Sequence, residues 1–338
     1  MKAFILYIQL ILCCPLMVAA QNVDCCNWMS RLDDARTVAS LSIPGAHDAA
    51  TGEGLLMVAG LGKTQELTLA GQWECGVRAF DLRPAVNGKE LHIYHGPAKT
   101  RITFQEALET LCSMLEQHPT EFAIVLLREE NDSENAAERA LWPTAVGEAI
   151  ASFGEKAATF SPSISVGEAR GKIMFLSRNA YTGCDRGAII TGWSHSQSGT
   201  INAKITSCAD GRTASLMVQD FYAPTGKERQ QAKKEGVLRF LGLAAETSGD
   251  TWTINSVSGY RNRWLSFTPF ATTAGYKRNA VAQHPVVIEF LEKSSGPTGI
   301  VMMDYAGRDK ASGGIWHWSA FETMGATLVK KIIEQNFR

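Results

Sequence analysis

Short apolar runs rich in β-branched residues recur along the chain, at 37–43, 77–82, 91–94, 122–127, 173–176, 216–218, 251–254 and 300–303. Their length and flanking turn residues predict strands. Between them the period changes. Phe104, Leu108, Leu111, Cys112 and Leu115 share one face of a helix. Thr103 can cap that helix, with Glu106 closing a capping box. His118-Pro119 ends it, because proline cannot continue the hydrogen-bond ladder. A second helix is predicted from about residue 227 to 241, and a third from Met324 to the end of the chain. Strands alternating with helices predict a mostly parallel sheet. About eight strands in 338 residues predict a closed barrel rather than an open, doubly wound sheet. No 20–50-residue repeat and no Gly/Ser linker divides the chain.

The first twenty residues stand outside this pattern. Lys2 supplies a positive charge, 3–18 is almost continuously apolar, and Val18-Ala19-Ala20 offers small side chains for cleavage before Gln21. The reading is a signal peptide over 1–20 and one catalytic barrel over 21–338, hence a secreted protein, extracellular or periplasmic. Setting aside Cys13 and Cys14 leaves six of eight cysteines. That even number allows disulfides in an exported chain, with Cys184–Cys208 the first pair expected and Cys112 a packed free thiol. No CxxC spacing suggests structural zinc. With 33 basic and 34 acidic residues the formal charge is −1. No bulk positive field is available to hold nucleic acid.

In a parallel barrel, chemistry gathers at the C-terminal strand ends. His47-Asp48 follow the first run, Asp81 and Arg83 the second, and His95 the third. Arg128, Glu129 and Glu130 follow the fourth, Arg178 the fifth, Asp220 and Tyr222 the sixth, and Asp304 the last. Histidines, arginines and carboxylates in this arrangement suit acid–base chemistry on an anionic group. His118 and His284 precede proline and read as helix-end or turn residues, and Trp316-His317-Trp318 as a packing cluster. The run 54–61 carries no charge, and with Trp264 it predicts an apolar rim through Leu55, Leu56, Met57 and Val58.

The segments SIPGAHDAAT (42–51), GVRAFDLRP (76–84), LHIYHGP (91–97), 104–130, GKIMFLSR (171–178), LMVQDFY (216–222) and GIVMMDYAG (299–307) carry a resemblance. Together, in this order, they make the chain similar to the bacterial-type phosphatidylinositol-specific phospholipase C family. The resemblance implies an α/β fold, an irregular (β/α)8 TIM-type barrel in a single domain. It implies a metal-independent lyase, a phosphatidylinositol diacylglycerol-lyase, yielding diacylglycerol and 1,2-cyclic inositol phosphate, with action on glycosyl-phosphatidylinositol anchors open. His47 is then the general base and His95 the general acid. Asp304 orients His47, Asp48 pairs with His95 or the leaving oxygen, and Arg83 holds the phosphate beside Asp81. Arg128, Arg178, Asp220 and Tyr222 match inositol-binding positions, with arginine at 128 in place of the family's lysine and Glu130 as its partner. Calcium-dependent relatives carry an acidic residue where this chain has Arg83, so neither metal nor cofactor is expected. The partner is phosphatidylinositol in a membrane, met by a monomer. Two alternatives stand beside this reading: a metal-dependent phosphodiesterase of related barrel type, and a catalytically inactive lipid-binding module.

Overall fold

The computed structural model describes residues 24–56, 62–130, 136–194, 199–222, 227–247, 249–260, 273–313 and 320–338. The strands in chain order begin with β1 (Ser42–Ala46), β2 (Ala79–Leu82), β3 (Pro84–Asn87), β4 (Glu90–His95), β5 (Ala98–Thr103) and β6 (Ala123–Leu127). They continue with β7 (Ile173–Ser177), β8 (Ala188–Thr191), β9 (Ile201–Ser207), β10 (Thr213–Gln219), β11 (Thr251–Ser256) and β12 (Gly299–Met303). The short pair β13 (Lys310–Ala311) and β14 (Phe321–Glu322) follows. The helices are α1 (Leu69–Glu74), α2 (Phe104–Gln117), α3 (Ala136–Ala151), α4 (Val166–Ala169), α5 (Lys227–Glu246), α6 (Thr273–Lys293) and α7 (Gly325–Glu334). No described helix is long and apolar enough to cross a membrane.

β1, β12, β11, β10, β9, β8, β7, β6 and β2 pair in that order into a closed barrel. The α/β barrel expected from the alternation is present, with two refinements. Among the described residues it has nine strands: β8 and β9 lie outside the expected runs, and β9 runs antiparallel to both β8 and β10. The 91–94 run, expected in the barrel, lies instead in a three-stranded antiparallel sheet, β3–β4–β5. Burial explains the difference. β6, β7 and β12 are buried at every position, as strands covered on both faces must be. β4 is mostly half-exposed and follows a tight turn at Gly88 with φ +64°. The small sheet packs on α3, where the Trp142 indole N–H donates to the Pro84 carbonyl at 2.7 Å.

β1 lies between β12 and β2, and Gly45 makes that closeness possible. A Cβ there would stand 2.4 Å from Met302 Sδ and 3.2 Å from Ala79 Cβ. The capping box of α2 is formed as predicted: the Thr103 hydroxyl accepts from the Glu106 N–H, and the Glu106 carboxylate accepts from the Thr103 N–H. His118 caps the C-terminal end of that helix. His284 departs from expectation. It lies fully buried inside α6 despite the following Pro285, because the helix is held by packing rather than by its local sequence. Its Nδ1 donates to the Thr323 carbonyl at 2.7 Å, and burial pushes its pKa down to about 4, so it is a neutral core residue.

At the N-terminal barrel end, the buried Arg78 guanidinium pairs with Glu121 at 2.9 Å and donates to the carbonyls of Trp73, Val77 and Cys26. The expected Cys184–Cys208 disulfide is not formed, and all six described cysteines are free thiols. The two sulfurs have other partners: Cys184 Sγ accepts from the Arg186 N–H, and Cys208 Sγ lies 3.4 Å from the Tyr181 hydroxyl.

Candidate active site

The loop after β1 places His47 and Asp48 at the C-terminal mouth of the barrel. His47 is 6% exposed. Its Nδ1 lies 2.8 Å from Asp304 Oδ1, and Asp304 follows directly from β12. The other Asp304 oxygen accepts the Gly259 N–H at 3.0 Å. Both oxygens of this fully buried carboxylate are therefore committed, which fixes the proton of His47 on Nδ1 and leaves Nε2 as the acceptor. Among the described residues Nε2 has no aligned hydrogen-bond partner. Burial acts to lower the His47 pKa, but the charges of Asp48 and Asp304 outweigh it and hold the pKa above the ordinary 6.5.

Asp48 adopts a left-handed conformation, φ 44° and ψ 51°, uncommon for a non-glycine residue and typical of functional loops. That twist turns its N–H to Asp81 Oδ2 at 3.2 Å. Its carboxylate lies among three cationic or protonatable groups: Arg83 Nε at 2.9 Å, His47 Nε2 at 3.1 Å and His95 Nε2 at 3.3 Å. Gln65, missed in the sequence, straps the two loops. Its amide donates to the carbonyls of His47 and Met303, both at 2.9 Å.

Arg83 leaves the end of β2 and is 8% exposed. Its Nη2 donates to Asp81 Oδ2 at 2.8 Å, and Nη1 stands 3.5 Å from Glu130. Burial alone would weaken its hold on the proton, yet Asp48, Asp81 and Glu130 push its pKa well above the usual value. Burial likewise works against the Asp81 charge, but Arg83 and His47 hold that carboxyl well below the usual range. The expectation that Asp81 stands beside Arg83 agrees with this geometry.

His95 comes from the end of β4, outside the barrel, and its ring centroid lies 6.3 Å from that of His47. Its Nδ1 lies 2.5 Å from the Gly62 carbonyl. A carbonyl only accepts, so Nδ1 carries a proton. Glu130 steadies the same turn, accepting the Gly96 N–H at 2.8 Å, and pairs with Arg128 at 3.1 Å as anticipated.

His47, Asp81, Arg83, His95, Arg128 and Glu130 line one cleft of about 380 Å³, within the range of small-molecule sites. Arg128, Arg178, Asp220 and Tyr222 line its far wall. Two wall residues escaped the sequence reading. Trp193 donates its indole N–H to Asp220 Oδ2 at 2.8 Å and carries the Arg178 guanidinium 4.2 Å above its ring. Tyr276 of α6 lies fully buried against Tyr222 and His95. Lys233 of α5 is also fully buried, donating to the carbonyls of Ser256 and Ser258 at 2.7 and 2.6 Å. Burial pushes its pKa down to about 8.

Of the expected apolar rim, Leu56 is 58% exposed, and Leu55 bridges to Thr100. Met57, Val58 and Trp264 lie outside the described residues, as do the signal segment and Trp316-His317-Trp318. His47, Asp48 and Asp81 each offer a ligand atom within 4.8 Å of the others, so the donor set alone suits a cation. The position of Arg83 argues against the fit: its guanidinium already bridges the two carboxylates of that set.

No family model matches the chain. Among the curated relatives similar to it are two named 1-phosphatidylinositol phosphodiesterase. The Listeria monocytogenes protein is 32% identical over 156 residues, 45% of this chain and 48% of that protein, so the chain matches about half of that relative's length. The Staphylococcus aureus protein is 24% identical over 323 residues, 92% of this chain and 94% of that one. A solved mutant of the S. aureus phosphatidylinositol-specific phospholipase C superposes with TM-score 0.71 at 22% identity, covering 93% of this chain and 97% of that one. The L. monocytogenes enzyme of the same name superposes with TM-score 0.65 at 23% identity, covering 93% and 99%. The resemblance first read in seven short segments thus extends over the fold, and the chain is similar in sequence and in architecture to bacterial phosphatidylinositol-specific phospholipases C.

Proposed function

We propose that the chain is a metal-independent phosphatidylinositol diacylglycerol-lyase. The observation that carries this reading is a pair of imidazoles facing one buried guanidinium across a single cleft. Each imidazole is held by a partner that fixes its Nδ1 proton. His47 Nε2 takes the proton of the inositol 2-hydroxyl, and that oxygen attacks the neighbouring phosphorus within the same molecule, so little positioning entropy remains to be lost. Charge grows on the non-bridging oxygens, where the Arg83 fork meets it. His95 Nε2 delivers a proton to the departing diacylglycerol oxygen. The products are diacylglycerol and 1,2-cyclic inositol phosphate. Arg128, Arg178 and Asp220 supply the donors and acceptors that a hydroxyl-rich headgroup requires, and Tyr222 offers an apolar face.

Exposed Leu56 belongs to a membrane-facing rim in this reading, and the protein works after export. Glycosyl-phosphatidylinositol anchors carry the same phosphodiester and are a second substrate class. The metal-dependent reading draws on the His47–Asp48–Asp81 donor set, and Arg83 weighs against it. Phosphorus NMR of products from phosphatidylinositol vesicles, with and without excess EDTA, tests the proposal. The expected spectrum shows a five-membered cyclic phosphate in both samples. A linear phosphomonoester, or activity lost to EDTA and restored by calcium, refutes it.

A further inference from the structure

Tyr276 has no place in the chemistry above, yet it is one of the most deeply enclosed polar side chains at the cleft. It is fully buried, and its hydroxyl lies 2.6 Å from the Tyr222 hydroxyl and 3.1 Å from His95 Nε2. The ring centroids of Tyr276 and His95 are 5.6 Å apart. Burial raises the pKa of both tyrosines far above the ordinary phenol value, so both remain O–H groups at any working pH.

The direction of each hydrogen bond follows from the Gly62 carbonyl. It can only accept, so Nδ1 of His95 is always the donor there, and every change in protonation occurs at Nε2. While Nε2 carries its proton, the proton faces Asp48 Oδ2 at 3.3 Å and the Tyr276 oxygen, and the Tyr276 O–H turns to Tyr222. When Nε2 has given its proton to the leaving oxygen, a lone pair is left beside a buried carboxylate. Tyr276 then turns its O–H to that lone pair, and Tyr222 donates to the Tyr276 oxygen in its place. A hydroxyl both donates and accepts, so the pair serves both states without moving a heavy atom.

We propose that Tyr276 is a positioning residue for the general acid. It aims His95 Nε2 and stabilises the deprotonated imidazole formed as the leaving group departs. This rests on the reading of His95 as the acid. Atoms balance without a further reactant: the P–O bond to diacylglycerol breaks, its electron pair takes the Nε2 proton, and Tyr276 only exchanges hydrogen-bond partners.

Leaving-group dependence provides the test, because an acid matters only when the departing oxygen needs a proton. Tyr276→Phe keeps the ring and removes the hydroxyl. On phosphatidylinositol, kcat is expected to fall about tenfold with KM little changed, the size of one hydrogen bond made in the transition state. On an inositol phosphodiester with a p-nitrophenyl leaving group, kcat is expected to stay within about twofold. Equal losses on both substrates, or none on either, overturn the proposal. If the wild type forms no cyclic phosphate from either substrate, the functional reading fails instead. ¹⁵N NMR of the His95 imidazole in the unmodified protein gives a second measurement should Tyr276→Phe fold poorly. Followed through the titration of the ring, Nδ1 is expected to keep its proton throughout while only Nε2 gains or loses one and accepts a hydrogen bond once bare; a neutral ring with its proton on Nε2 and none on Nδ1 overturns the switching role.

Discussion

Replacing Asp304 with asparagine changes one atom of the site and should disable it through hydrogen-bond direction alone. The carboxylate has two committed oxygens, one taking the His47 Nδ1 proton at 2.8 Å and the other the Gly259 N–H at 3.0 Å. Asparagine has one oxygen and one NH₂. The Gly259 N–H can only donate, so the amide oxygen must face it, and the NH₂ then faces Nδ1. Two donors cannot share that gap, and the imidazole moves its proton to Nε2. In the proposed mechanism Nε2 is the atom that must be unprotonated to receive the inositol proton. Amides substituted for carboxylates that fix a catalytic tautomer cost on the order of 10⁴ in kcat, and a similar loss is expected here. The pH profile shifts as well. His47 acts as a base only when neutral, and Asp48 and Asp304 overcome burial to hold its pKa above 6.5. Wild-type activity should therefore fall as pH drops through that raised value, whereas residual Asp304→Asn activity should persist to lower pH. The same raised pKa makes this histidine's contribution to stability complete below 6.5 and lost as pH rises through the folded value. The assay is steady-state turnover of a water-soluble inositol phosphodiester from pH 4 to 9, alongside a thermal melt. A variant within tenfold of wild type, with an unmoved acid limb, refutes the tautomer argument.

Two further outcomes are expected from the same cleft. Arg83→Lys should lower kcat/KM by roughly 10²–10³, because one ammonium cannot reach Asp48, Asp81 and a phosphate oxygen together; retention of most activity in steady-state assays would remove Arg83 from the phosphate site. Leu56→Asp should weaken sedimentation with phosphatidylinositol vesicles while leaving turnover of the soluble analogue nearly intact. A collapse of the melting temperature instead would make Leu56 a packing residue.

How much of this was legible without coordinates depended on whether a residue's signal was local. His47, Asp81, Arg83 and Asp304 lie at or just beyond the ends of short apolar runs, and a parallel barrel brings such positions to one mouth. The α2 capping box was equally local and formed as read. Leu91 to Tyr94 was misplaced because a half-exposed hairpin strand and a barrel strand look alike over four residues; only burial separates them. Tyr276, Trp193 and Lys233 were missed for another reason. Each acquires its role from an element distant in sequence, and alone each reads as core aromatic or surface charge. Lys233, in the polar stretch KERQQAKKEG, shows this best, because only tertiary structure buries its ammonium against two carbonyls. Arg128 and Glu130 were paired correctly because they are neighbours in the chain.

The two imidazoles belong to separately built parts of the molecule: His47 extends from a barrel strand, whereas His95 extends from the small sheet β3–β4–β5. Proteins open locally before they unfold, and a three-stranded, half-exposed sheet is the weaker of these two bodies. Warming should therefore loosen His95, the proposed acid, while His47 stays in register. A phosphodiester with a good leaving group would still be cleaved in that state, and phosphatidylinositol, the substrate proposed above, would not. The ratio of the two activities, followed against temperature, thus becomes a thermometer for the docking of the small sheet, and substrate preference should drift well below the melting point of the barrel.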